Sequence, residues 1–401
     1  MADYTVGGGK AQGGARLLAV LIAVAAAGCD SDSAAPGPCE PAVTFLPAEP
    51  RLATGDSIAL NATVAGAGCE AGADPLIWIS SDSMTIAVDS VTGMAKARQA
   101  GTAYLAVHES GTATPLDSVK VVAYAPLFDR IIFMRIAPCP AGAESCQPVG
   151  LWTINATGGG LALAVDSLQY PEHARVSPDG KSIVFEDAGE LFITDAGGGA
   201  KRRLETGTNV AFWPSWSADG QRILYGGGTS LDPPWQVYLM RADGTARRQL
   251  TNHILGTHGP AWSPDGRIVY VRLVAIGLDP AFFEAVVMDT SGTELEVLTA
   301  GMNDFTGYAP AWAPDGLSIL FLDTDDTGWI ITKLTLATTK YDTLGSAQGN
   351  RPGDWSPDGQ KILYGTGDLW TMAADGTNQQ ILLSDGYINF EAAWTPAAPA
   401  P

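Results

Sequence analysis

The 401-residue chain carries 43 acidic against 23 basic side chains, a net charge of −20. That balance repels a phosphate backbone and anionic lipid head groups, which excludes nucleic acid and a charged membrane surface as natural partners. With 46% hydrophobic residues, 47 Gly and 26 Pro, the chain has enough apolar mass for a sizeable core cut by frequent turns, in two or three domains.

At the N-terminus, Lys10 and Arg16 precede "LLAVLIAVAAAG", an apolar run too short to span a bilayer comfortably. Small residues then lead into Cys29 in "AAGCDSDS". Residues 1–28 resemble a bacterial lipoprotein signal, which implies that Cys29 becomes the lipidated first residue. Ala26 stands where such signals most often have Leu, and an ordinary secretory signal cleaved nearby is the alternative. Either reading takes the chain out of the cytosol; the lipoprotein reading places it lipid-anchored in the cell envelope, at the outer membrane facing periplasm or cell surface. With Cys29 committed, Cys39, Cys69, Cys139 and Cys146 remain. The expected pairs are Cys39–Cys69 and Cys139–Cys146, each inside one proposed domain, and free buried thiols are the alternative.

Residues 29–42, small, acidic and Pro-containing, suit a tether. Over 43–125 come "SIALNATV", "LIWIS", "TIAVD", "AYLAVHE" and "SVKVVAY", short runs rich in Val, Ile, Thr and aromatics between Gly, Asp and Ser turns. They predict a small all-β sandwich. Trp78, Ser80, Ser81, Asp82, Ala87-Val88-Asp89, Gly93 and Gly101-Thr102-Ala103 resemble the group 2 bacterial immunoglobulin-like domain. That resemblance implies a spacer or adhesion module without chemistry of its own.

From 126 to 401 one word recurs: "ARVSPDGKSIVF", "PSWSADGQRILY", "PAWSPDGRIVYV", "PAWAPDGLSILF" and "GDWSPDGQKILY". Asp179, Asp219, Asp265, Asp315 and Asp358 are 40, 46, 50 and 43 residues apart, the period of stacked four-stranded units. A truncated copy stands at "EAAWTP". A second word, from "LWTINATGGG" to "LWTMAADGTN", recurs six times out of phase with the first. Six blades follow, the ring closed by pairing the strand near Ala393 and Trp394 with "RIIFMRI", "LWTINA" and "LALAV". Pro-Asp-Gly sets turn geometry and Trp offers apolar area between blades, so the word reads as scaffold.

These repeats resemble the TolB-like propeller family over about 270 residues. The expected fold is therefore all-β: a six-bladed β-propeller behind a small N-terminal immunoglobulin-like β-sandwich. The α/β domain that carries much of the partner binding in that family is replaced here by the sandwich, so a Tol–Pal role is not carried over. A peptidase role lacks its G-x-S-x-G elbow.

Specificity is sought at positions that vary in constant register. Four residues before each repeat's Trp, or before Val176, stand Glu172, Phe212, His258, Tyr308, Arg351 and Phe390. One place later come His173, Trp213, Gly259, Ala309, Pro352 and Glu391. On a six-fold ring these surround the channel mouth, and aromatics with Arg are what interfaces over-use; plugging of the channel by the same side chains is the alternative. Trp235, Phe282 and Phe283 offer an exposed apolar patch or a cover for a blade edge. His173 and His258 with Glu172 or Glu391 are the weak metal candidates, without tight ligand spacing. "DTDDTG" at Asp323–Gly328 lacks Glu at position twelve and reads as a solvated hairpin.

The resulting expectation is a non-enzymatic envelope module without cofactor or metal, holding a protein or peptide at its mouth. A carbohydrate-binding or metal-assisted lyase-type propeller is the alternative.

Overall fold

The computed structural model describes residues 41–65, 75–136, 148–199, 201–275, 282–299, 308–326, 328–347, 353–365 and 367–399. The signal segment, the tether up to residue 40, Cys29, Cys39, Cys69, Cys139, Cys146, Arg351 and Pro352 lie outside them. Every regular element among the described residues is a strand. The larger compact unit is Val43–Thr63 with Ala73–Pro401; of the smaller, Met1–Ala42 with Val64–Gly72, only residues 41–42 and 64–65 are described.

Two of the sheets formed by the N-terminal strands lie wholly within the larger unit. One is four-stranded, in the order Arg51–Ala53, Asp117–Tyr124, Gly101–Glu109, Leu76–Ser80, its first pair parallel. The other orders Ser57–Ala59, Met94–Ala97, Ile86–Val88. Alternation along Gly101–Glu109 and Asp117–Tyr124 sends Ala103, Leu105, Val107, Val119 and Val121 into a common core with Trp78 and Ile86. Gly93, at φ +68°, is required there, because a Cβ would lie 2.6 Å from the Leu60 carbonyl oxygen and 2.8 Å from the Trp78 indole nitrogen. Arg51 joins this segment to the next by a two-pronged bond to Asp195, at 2.6 and 3.0 Å, and Lys181 Nζ reaches Asp56 at 2.7 Å.

Six four-stranded antiparallel sheets follow among the described residues. Five are built from consecutive strands. The remaining one places C-terminal Ile388–Trp394 beside Arg130–Ile136, then Pro148–Asn155 and Ala162–Val165. The first strands are Pro171–Val176, Val210–Trp216, Thr257–Trp262, Tyr308–Trp312 and Asp354–Trp355. Together with Ile388–Trp394 they touch one another in a closed circuit, each contacting the next and the last returning to the first. They are the inner strands of a ring in which each, the edge strand of its own sheet, is covered by the inner strands on either side.

The alternation of Ile with Phe or Tyr in the repeated word has a direct counterpart in the core. Phe133, Phe185, Tyr225, Tyr270, Phe321 and Tyr364, one on the second strand of each sheet, are among the largest fully buried side chains. The Trp of the word bridges sheets: the Trp216 indole donates to the Arg175 carbonyl at 3.1 Å, and Trp355 to that of Ala311 at 3.2 Å.

Ser-x-Asp-Gly folds the turn by itself. The Ser356 hydroxyl donates to Asp358 at 2.6 Å, Asp358 accepts the Gln360 amide at 3.0 Å, and Ser356 Oγ accepts the Lys361 amide at 2.9 Å. Ser177 with Asp179 and Ser217 with Asp219 repeat the set, and Gly359 closes the turn at φ +69°. Asp358→Ala removes two of these bonds and is expected to lower stability by about 1–2 kcal/mol, read from the urea midpoint.

Candidate functional site

Five inner strands carry the same irregularity. Between Glu172 and Arg175, Phe212 and Ser215, His258 and Ala261, Tyr308 and Ala311, and Phe390 and Ala393, the inner strand holds one residue more than its partner. The extra residue makes a bulge. The residue entering it is left-handed each time: His173 at φ +51°, Trp213 at +53°, Gly259 at +51°, Ala309 at +45° and Glu391 at +54°. Only one is glycine, so the ring holds four ordinary residues in a conformation costing about 1–2 kcal/mol apiece. These are the register positions singled out in the sequence, and the bulge re-aims their side chains.

On one side of this tier the aromatics gather. Trp213 lies 5.5 Å from both Phe212 and Trp235, 5.7 Å from His258 and 6.0 Å from His173, ring centre to ring centre. Trp235 reaches Phe212 at 5.3 Å and His258 at 5.2 Å, and Phe283 closes the far side at 5.9 Å from His258. Trp213, Trp235 and His258 are half-buried, while Phe283 (6% exposed) and Phe212 (9%) back them from within. The exposed patch expected of Trp235 and Phe283 is thus corrected: edge-to-face packing draws both into the cluster. Nothing is described of the Phe282 side chain. Burial holds the His258 imidazole neutral, its pKa brought down to about 4.

Two of three consecutive glycines in Arg222–Gly228 make room for the two tryptophans. A Cβ on Gly226 would lie 2.8 Å from the Trp213 ring, and one on Gly228 2.7 Å from that of Trp235. Gly226→Ala is expected to push Trp213 aside, change the near-ultraviolet circular dichroism of the cluster and cost about 1–2 kcal/mol.

Next to Trp213 stands a carboxylate–imidazole group. His173 Nδ1 donates to Glu186 Oε2 at 3.0 Å, and Nε2 lies 3.5 Å from Glu391 Oε2. Glu186 and Glu391 are buried. Burial opposes charge on His173, but Glu391, Glu186 and Glu172 together outweigh it and raise its pKa above the usual value. Burial likewise raises Glu186, against the pull of His173. Glu172, His173 and Glu186 each place one ligand atom within 4.8 Å of the others, a set hard divalent cations accept. His258 is not in it; Trp213 stands between the two imidazoles. Glu186 was missed in the sequence because it enters from the second strand, opposite Glu172.

Tyr308 pairs with Leu322 through its backbone, and Phe390 packs half-buried on the core near Met134 and Ile136. Asp323 of "DTDDTG" is buried and accepts the Tyr341 hydroxyl at 2.6 Å, so that hairpin is tied down at its first acid.

Inside the ring, His173, Trp213, Gly259 and Ala309 top a cavity of about 160 Å³, with Arg175, Ser215, Ala261, Ala311 and Asp354 below them. Small residues on three strands create it.

A family model described as PD40, TolB beta propeller domain, matches residues 160–331 and 228–398. The Tol-Pal system protein TolB of Anaeromyxobacter dehalogenans strain 2CP-C is 33% identical over 128 residues, 31% of this chain and 29% of that protein. The chain thus matches under a third of the length of its curated relatives. Among solved structures, Acinetobacter baumannii TolB aligns over 80% of this chain and 83% of its own, with TM-score 0.55 and 17% identity. Kuenenia stuttgartiensis hydrazine synthase aligns over 67% of this chain and 46% of its own, with TM-score 0.52 and 13% identity. At such identities the shared feature is the fold alone. The repeats, the ring of sheets and the family match agree, and the chain belongs to the TolB-type β-propeller family.

Proposed function

We propose that the protein is a cell-envelope binding module whose propeller mouth holds a protein or peptide partner. The observation that carries this reading is the half-buried cluster of Trp213, Trp235 and His258, in which Trp213 sits in a strained bulge, beside the His173 carboxylate group. Large aromatics that keep part of their surface are the usual anchors of an interface, and strained backbone is kept where a site needs it. The matched relatives are Tol-Pal system proteins, which favours an envelope protein as the partner and a binding rather than a catalytic role.

In this reading the six sheets are six blades over 126–401, and residues 43–125 are an immunoglobulin-like spacer. Residues 1–28 direct export, Cys29 carries a lipid, and residues 29–42 tether the spacer to the outer membrane. The Cys39–Cys69 and Cys139–Cys146 pairs belong to the same oxidising setting. Phe212, Tyr308, Arg351, Phe390, Glu172 and Glu391 flank the contact made by Trp213, His258 and His173.

The test is retention of envelope proteins on the full chain beside a Trp213→Ser/Trp235→Ser variant of unchanged melting temperature. A protein held by the first and released by the second supports the mouth as the site. Equal retention by both, or none by either, removes this reading.

A further inference from the structure

One copy of the second repeated word departs from the others at its turn. Three copies read Asp243-Gly244-Thr245, Ser291-Gly292-Thr293 and Asp375-Gly376-Thr377. The Thr hydroxyl bonds back to the first residue at 2.6, 2.8 and 2.6 Å. In the sheet that begins with Pro171–Val176 the same place holds Gly197-Gly198-Gly199. Gly198 keeps the left-handed backbone of Gly244, Gly292 and Gly376, at φ +68°. Gly197 and Gly199 lie outside that region, so their backbone does not call for glycine. What is needed there is space. A Cβ on Gly199 would collide with Arg51 Nε, and one on Gly197 would lie 2.9 Å from Arg51 Nη2 and 2.7 Å from Tyr124 Cβ. Arg51 and Tyr124 belong to the N-terminal sheets. The repeat is emptied of side chains where a guanidinium from those sheets enters.

The contact made there is directional. Arg51 Nε and Nη2 donate to the two oxygens of Asp195 at 2.6 and 3.0 Å, and Nη2 also donates to the Gly197 carbonyl at 3.2 Å. Tyr124 lies beside the guanidinium, its ring centre 6.0 Å from Cζ. A two-pronged guanidinium–carboxylate pair fixes angle as well as distance. Lys181 Nζ reaches both oxygens of Asp56 at 2.7 Å. The connection 125–129 is held as well. The Leu127 amide donates to the Gly180 carbonyl at 2.8 Å, its side chain packs on a core of the ring, and the Asp129 amide donates to the Pro396 carbonyl at 3.0 Å. Domains joined by a small polar contact move by default; here three separate points oppose that motion.

All three points lie at one end of the ring. Lys181 and Gly180 stand in the turn after Pro171–Val176, and Asp195 and Gly197 in the turn after Glu190–Asp195. Glu172, His173 and Glu186 stand at the other ends of their strands, about 15 Å away at the rise of a strand. We propose that this joint locks the N-terminal sheets and the ring into one rigid body, with those sheets on the face opposite the mouth. The mouth is then left open and presented at a fixed angle. The joint stands whether or not the mouth holds a partner.

The test is pulsed electron paramagnetic resonance on the full chain, with p-acetylphenylalanine introduced at Tyr104 and Ile381, both exposed, to carry the two nitroxides. The parent is expected to give one narrow distance peak. Arg51→Ala/Lys181→Ala removes both ion pairs. Gly197→Ser/Gly199→Thr installs the turn of Ser291–Thr293, which the ring already accommodates, and evicts Arg51. Each variant is expected to widen the distribution about twofold or more, because a contact this small leaves domains free once its fixed points are gone. Melting temperature should stay the same, since partly exposed ion pairs add little stability. A broad distribution in the parent overturns the joint, and so does a variant as narrow as the parent. Should Arg51→Ala/Lys181→Ala fail to fold, the glycine variant decides alone. None of these outcomes depends on retention of a protein at the mouth.

Discussion

A chain ended at Asp385 is expected to lose its cooperative unfolding transition and to aggregate, although it keeps almost all of the repeats. The strand it lacks, Ile388–Trp394, lies beside Arg130–Ile136 and completes the circuit of inner strands. Ile131, Ile132, Phe133 and Met134 are fully buried in the closed ring. Without their neighbour, a long apolar strand becomes an open edge, which is a template for association. Trp394 also supplies one of the two amides held by Asp354, and Asn389 (0% exposed) and Glu391 (4%) are buried on the missing strand. The loss is expected to approach the whole stability of a domain, about 5–15 kcal/mol. Thermal scans and size-exclusion chromatography measure it. Addition in trans of a peptide covering residues 386–401 should restore part of the transition, because the strand's contacts are with its own sheet and the two flanking sheets.

The second large effect is a pH dependence of stability in which two histidines act with opposite sign. His258 has its pKa lowered to about 4 by burial. Below pH 6.5 the unfolded chain takes up a proton that folded His258 refuses, so stability falls as pH drops towards 4. The span between the two pKa values corresponds to about 3 kcal/mol. His173 behaves in the other sense: its pKa is raised by Glu391, Glu186 and Glu172 against its burial. Its contribution is complete below pH 6.5 and is lost as pH rises through the folded value. Glu186, also raised, loses stability from about pH 4.5 upward, so it opposes the His258 limb on the acid side and works in the same sense as His173 above it. In urea titrations across pH, His258→Gln should flatten the acid limb and His173→Gln the neutral one. A parent protein whose stability rises steadily from pH 6.5 to 8 would contradict the assignment of charge to His173.

The candidate site was legible in part. The period of the repeated word put Glu172, Phe212, His258, Tyr308 and Phe390 in one register and His173, Trp213, Gly259, Ala309 and Glu391 in the next. The structure finds five of this second row in a single left-handed conformation. What escaped is what arrives from other strands. Glu186 faces Glu172 across a strand pair, Trp235 folds back onto Phe212 from the start of a third strand, and Gly226 and Gly228 matter only because tryptophans lie over them. Metal candidacy shifted in the same way, from His258 to Glu186.

The sequence by itself determined the strands, the turns and their repetition. Alternation, Ser-x-Asp-Gly and the spacing of Trp act within a few residues, where sterics and local hydrogen bonds decide the outcome. Only the tertiary structure decided which neighbours meet. Whether a Trp donates to a carbonyl, as Trp216 does, or is left buried without a partner, as Trp262 is, depends on how closely two inner strands approach. That distance is set by closure of the whole ring, a sum over six sheets that no local stretch of residues contains.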